Sequence, residues 1–119
     1  MKKRDALAAL AALAQDNRLD VFRLLVQAGP EGMSAGNVAV TLKLAPNTLT
    51  FHFNRLRDAG LITVQREGRS MIYAARFDTM NALLGYLTEN CCQEAPGQRM
   101  PAECKTPALS MTREREKVS

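Results

Sequence analysis

Pro46-Asn47-Thr48-Leu49-Thr50-Phe51-His52-Phe53-Asn54-Arg55-Leu56-Arg57-Asp58-Ala59-Gly60 is the stretch that decides the fold. Proline suits the first turn of a helix, where its missing N–H would be unpaired in any case, and glycine suits the position just past the end. Leu49, Phe53 and Leu56 recur at helical spacing and must face a core, with His52 close to that stripe. At 100° per residue the opposite face carries Asn47, Phe51, Asn54 and Asp58, with Thr50 and Arg55 at its edges. Short polar side chains and arginines are what a helix needs to form paired hydrogen bonds with base edges in the major groove, and an apolar group can meet the thymine methyl. The candidate contacts on this helix are Asn47, Thr48, Thr50, Phe51, Asn54 and Arg55. Asp58 lies too far toward the C-terminal end to meet phosphate, because such helices insert N-terminal end first. His52 reads as a packed or backbone-bonded histidine, since the chain has no second histidine to share a metal site.

Upstream, Ser34 is a good cap for a short helix carrying Val38 and Leu42, and a break follows at 43–45. Downstream, Ile62 and Val64, then Ile72 and Ala74, alternate on either side of Glu67-Gly68-Arg69, which predicts a β-hairpin over 61–66 and 70–76. Arg66 and Arg69 at its tip are candidate minor-groove or phosphate contacts. Further out, residues 5–13 are alanine and leucine, with Leu7, Leu10 and Leu13 three apart. A helix there is apolar around nearly its whole circumference, which suggests a contact with another subunit. Asp16 or Asn17 is read as the cap of a second helix, running to about residue 28, with Leu19, Phe22, Leu25 and Val26 in one stripe. Asp78 is read as the cap of a last helix with Met80, Leu83, Leu84 and Leu87 in another. From residue 93 onward, four proline and glycine positions oppose regular structure and the end is charged, so 1–92 is expected to be the ordered domain and 93–119 a flexible tail. The predicted fold is mainly α, a winged helix-turn-helix with helices at both ends forming a homodimer interface.

The 119 residues are 46% hydrophobic and 24% charged, with a net charge of +4. That length suits one small domain and excludes a two-domain nucleotide enzyme or a repeat array. Residues 1–50 hold six Lys/Arg against four Asp/Glu, 51–77 hold five against two, and 78–119 hold five against six. The basic centre contains only arginine, the forked donor suited to phosphate and base edges, and favours a polyanion partner, most simply nucleic acid. No apolar run reaches the roughly 18 residues of a membrane span. The basic start Met1-Lys2-Lys3-Arg4 leads through an apolar run straight into Asp16-Asn17-Arg18, which reads as a helix of the mature protein and a cytoplasmic address. One histidine and the lack of paired carboxylates in a plausible cleft argue against an enzyme.

The run Leu49–Leu61, followed by Glu67-Gly68-Arg69 and Tyr73, resembles the recognition helix and wing of the ArsR/SmtB family of bacterial metal- and metalloid-responsive repressors. Asn17-Arg18-Leu19 is similar to that family's entry into its second helix, and the resemblance covers about residues 5–92. It implies a homodimer, with first and last helices paired, that binds a pseudo-palindromic operator and releases it when an inducer binds.

Sensor sites in that family lie in different places. A Cys-x-Cys pair before the turn is absent here, and a nitrogen-rich zinc site fails for want of histidines. Cys91, Cys92 and Cys104 remain. An odd number of thiols in a chain without a signal peptide does not look like a disulfide framework. Two adjacent thiolates plus a third on a loop suit a soft three-coordinate centre, and trivalent arsenic takes a trigonal pyramid of three sulfurs. Some family members resemble this arrangement and respond to arsenite or antimonite. The implied role is a repressor with no permanent cofactor and As(III) as inducer, with Sb(III) or methylated As(III) as further candidates. A two-sulfur site for a methylated arsenical is the fallback if Cys104 is not a ligand. The alternatives are a thiol redox-sensing repressor on the same fold and a metalloid carrier that does not bind DNA, in which the recognition helix would be idle.

Overall fold

In the computed structural model, residues 1–91 are described. The element order is α1 (Lys3–Leu13), α2 (Asp16–Ala28), β1 (Met33–Ser34), α3 (Ala35–Leu42), α4 (Pro46–Asp58), β2 (Ile62–Glu67), β3 (Ser70–Ala75) and α5 (Phe77–Thr88). The chain divides into two compact units, residues 1–87 and 88–119. The first contains the helix-turn-helix and its wing. In the second, Asn90 takes a φ of 63° and the Cys91 N–H donates to the Thr88 carbonyl at 2.9 Å.

Local chemistry sets most boundaries. The Ser34 hydroxyl accepts from the Asn37 N–H at 3.2 Å and starts α3. Lys43 ends α3 with a left-handed φ of 58°. Pro46 opens α4, and Gly60 with φ 78° closes it while the Leu61 N–H returns to the Leu56 carbonyl. Gly68, φ 63°, takes the first position of the two-residue turn left between the paired Glu67 and Ser70.

Two expected caps lie elsewhere. Asp16 and Asn17 are already inside α2, and Gln15, in extended backbone, caps it by accepting from the Arg18 N–H at 2.9 Å. The buried stripe of α2 is Val21, Phe22 and Leu25, whereas Leu19 is exposed. Asp78 lies within the first turn of α5, which begins at Phe77, and its carboxylate accepts from Arg76 at 3.0 Å and from the Thr79 N–H at 2.9 Å. Those bonds hold Asp78 below the usual carboxylate range.

The hairpin is joined by a third strand that residue alternation did not reveal. The sheet order is β1-β3-β2, antiparallel throughout, with Met33 opposite Tyr73 and Ser34 opposite Ile72. Gly32 makes that edge pairing possible. Its φ is +76°, and a Cβ there would collide with the Tyr73 carbonyl oxygen.

The core gathers Val21 and Leu25 of α2, Val38 of α3, Phe53 and Leu56 of α4, and Leu61 and Ile62 at the wing's base. Phe53 stacks on Tyr73 with ring centroids 3.7 Å apart and planes within 9°, tying α4 to β3. On α1 the alanines face inward: Ala6, Ala9 and Ala12 are buried, while Leu7 (56%) and Leu10 (38%) remain exposed. On α5 Leu83 is buried, whereas Leu84 and Leu87 are exposed. Among the described residues no helix is long and apolar enough to cross a membrane.

Candidate nucleic-acid interface

The helix α4 buries Leu49, His52, Phe53 and Leu56, and this anchors the orientation of the rest of its surface. Asn47, Thr48, Thr50, Phe51, Asn54 and Arg55 are all exposed, as are Arg66 and Arg69 on the wing. Every one of the eight candidate contacts therefore reaches solvent.

They do not form one uniform strip. Asn47, Thr50 and Asn54 share a flank with Arg57, a residue that the sequence reading passed over although the same helical spacing places it there. The Thr50 hydroxyl donates to the Pro46 carbonyl at 2.9 Å. Its hydrogen is thereby engaged, so toward a base it offers acceptor lone pairs and a methyl group. Phe51 and Arg55 turn to the other flank, where the Arg55 guanidinium lies 5.2 Å from the Phe51 ring centroid and both line a cavity against α1. The half-exposed phenylalanine is thus explained in part by a cation–π contact. On the wing, the Arg66 Nε–H donates to the Gly68 carbonyl at 3.3 Å, which holds this arginine across the tip, and Arg69 projects from the turn itself.

Beneath the helix, His52 is 5% exposed, meets Phe51 edge-on at 5.6 Å, and keeps a buried Nδ1 without a hydrogen-bond partner. Burial, and secondarily the Arg18 charge, push its pKa below the ordinary value. The neutral form is therefore favoured in the folded state. The linked stability is complete above the unfolded value of about 6.5 and is lost as pH falls through it toward the folded value. Urea unfolding is expected to give lower stability at about pH 5 than at about pH 7.5, and His52→Gln is expected to flatten that difference. Asp78, with its pKa lowered, loses its contribution only below the carboxylate range, outside this window. An equal slope in both proteins would remove His52 as the cause.

Cys91 is exposed, and Cys92 and Cys104 lie outside the described residues. Among the described residues no group of three His, Cys, Asp or Glu side chains could hold a metal ion. A sulfur site would therefore have to include the two further cysteines.

Residues 13–65 match a family described as a helix-turn-helix domain. The chain is 34% identical over 77 residues to the uncharacterized HTH-type transcriptional regulator YceK of Bacillus subtilis (strain 168), across 64% of this chain and 76% of that protein. It is 31% identical over 87 residues to the HTH-type transcriptional regulator YgaV of Escherichia coli (strain K12), across 73% of this chain and 86% of that protein. Among solved structures it is similar to an ArsR-like transcriptional regulator from Rhodococcus sp. RHA1, with a TM-score of 0.65 over 76% of this chain and 82% of that one, at 24% identity. At that identity the likeness speaks for the fold, and it is the same order of helices and wing derived above. A groove-sized helix with exposed amides and arginines, a basic wing and these relatives lead to one assignment: the chain belongs to the HTH-type transcriptional regulators and carries the winged helix-turn-helix fold of ArsR-like proteins.

Proposed function

We propose that the protein is a metalloid-responsive repressor, which binds operator DNA as a homodimer and releases it when trivalent arsenic engages Cys91, Cys92 and Cys104. The DNA-reading part rests on one observation above all: α4 exposes Asn47, Thr50, Asn54 and Arg57 along one flank while its other face is anchored by Phe53 and Leu56. A rigid helix with those groups can enter the major groove, and Arg66 and Arg69 can meet phosphate or the minor groove beside it.

The homodimer reading is supported by the exposed leucines. Leu7 and Leu10 leave α1 on the side away from its buried alanines, and Leu87 is exposed on α5, so each terminal helix has apolar surface beyond what its own core uses. A second copy covering those faces would also set two reading helices about one DNA turn apart.

The inducer reading is supported by the thiol pattern. Cys91 follows the last residue of α5 by three positions, Cys92 is adjacent, and twelve positions separate Cys92 from Cys104. Exchange of the three hydroxyls of arsenous acid for three thiols releases three waters, and the resulting cage would pull Cys104 back to the end of α5. Arsenic absorption spectra of the loaded protein are expected to fit three sulfurs; two would leave Cys104 out of the site.

A salt series tests the DNA reading. A duplex selected from a random pool by the protein itself is expected to bind two chains in sedimentation. It is also expected to lose about a thousandfold or more in affinity between 50 and 200 mM salt, as phosphate contacts release counterions. A weak, salt-insensitive association would point to the carrier alternative.

A further inference from the structure

We propose that the cavity between α1, α2 and α4 takes a small planar aromatic carboxylate, and that this occupant competes with DNA. The competition rests on the DNA-reading role of α4 argued above; the cavity does not. Its volume is about 590 Å³, inside the range of roughly 300–1,000 Å³ typical of small-molecule sites.

The wall from α1 is built of alanines, among them Ala8 and Ala11, so no large side chain fills the space. Opposite stands the Phe51 ring, with the Arg55 guanidinium 5.2 Å from its centroid. Arg18 enters from α2, and its Nε–H donates to the Ala12 carbonyl at 2.7 Å. That bond fixes the guanidinium plane and leaves the two terminal nitrogens to face an acceptor. The ion pair found among the described residues is Arg76–Asp78, so no carboxylate of the described chain holds Arg18 or Arg55. Two forked donors beside an aromatic face and a methyl-lined wall are complementary to a flat ring bearing one carboxylate. Asp58 at the rim disfavours a second negative charge on the occupant.

Ala8 lies about 100–160° around α1 from Leu7 and Leu10, whereas Ala11 follows Leu7 by one turn and borders the leucine face, so pairing of two copies through the leucines leaves the Ala8 side of the cavity accessible. An occupant clamped by Arg55 and stacked on Phe51 would hold these two candidate contacts in the cavity and keep them from turning toward DNA. This gives a route to release that uses no thiol.

Benzoate is the probe. Titrated into the full chain, it is expected to give saturable amide shifts at Ala8, Ala11 and Arg55, and to weaken binding of the selected duplex by about fivefold or more, the lower end of ordinary coupling. Ala8→Leu, which fills the wall away from the leucine face and the reading flank, is expected to bind the duplex normally without benzoate and to lose both effects; Ala11→Leu, beside Leu7, is the second variant, with its two-chain stoichiometry in sedimentation checked first. No saturable shift up to about 10 mM, weaker than the usual range of specific ligands, overturns the site. Shifts with unaltered duplex affinity, or unaltered responses in both filled variants, overturn the competition. If the free protein fails to bind any duplex, the DNA reading fails and the competition with it, while the amide shifts still decide the cavity.

Discussion

Phe53→Ala is expected to destabilise the protein by about 3–5 kcal/mol, the range for removing a buried aromatic side chain. Phe53 is 1% exposed and lies between α4, the helix proposed to read DNA, and β3 of the wing, stacked on Tyr73. The loss includes both the transfer of the ring and the void left between α4 and β3, which the neighbouring Leu49 and Leu56 can close only partly. Because domains of this size usually hold about 5–15 kcal/mol in total, the variant should show a large drop in urea midpoint and bind DNA poorly even where it remains folded. A loss below about 1 kcal/mol would mean that the site collapses around the missing ring. The stacked pair would then not be what fixes the reading helix against the wing.

The second large effect concerns the thiols. Cys91→Ser together with Cys92→Ser is expected to leave affinity for the selected duplex unchanged and to abolish its response to arsenite. Cys91 follows α5 in sequence, outside the helix-turn-helix and the wing. Serine preserves shape and removes the soft ligand, which isolates metalloid binding from packing. Cys104→Ser separates the two versions of the site. Loss of the arsenite response supports three sulfurs, whereas a normal response leaves a two-sulfur site that would suit a methylated arsenical. Release by peroxide in the absence of arsenic, with a disulfide found by non-reducing mass analysis, would instead favour the redox alternative.

Much of this architecture was legible in the residues because its signals are local. Pro46 and Gly60 bracket a helix, the spacing of Leu49, Phe53 and Leu56 fixes its inner face, and the glycine-centred alternation after Leu61 gives the hairpin. What escaped was decided by tertiary partners. The strand Met33–Ser34 is two residues long and carries no periodicity; it exists because Gly32 lets the chain approach Tyr73 closely enough to pair. Gln15 displaced two better cap formers because Arg18, bonded to the Ala12 carbonyl, fixes the corner between α1 and α2 one residue earlier.

The candidate contacts show the same division. Their exposure followed from the helical repeat, but the separation of Phe51 and Arg55 from Asn47, Thr50 and Asn54 depends on where α1 lies. Likewise, the alanine and leucine run at 5–13 suggested a helix apolar around nearly its whole circumference and a contact with another subunit, without saying which side its own core would take. In the fold the intervening alanines take the inner side and leave Leu7 and Leu10 outward. Small residues permit the closer approach of α1, so the larger ones stay at the surface.

The most direct test of the account is the equilibrium affinity for the selected duplex, measured at one salt concentration with and without arsenite. A coupling of about 1–3 kcal/mol would weaken binding roughly 5–150-fold, and that is the predicted result. Arsenic bound to the protein with duplex affinity unchanged would contradict it, because the thiol site and the reading helix would then not share one conformational equilibrium.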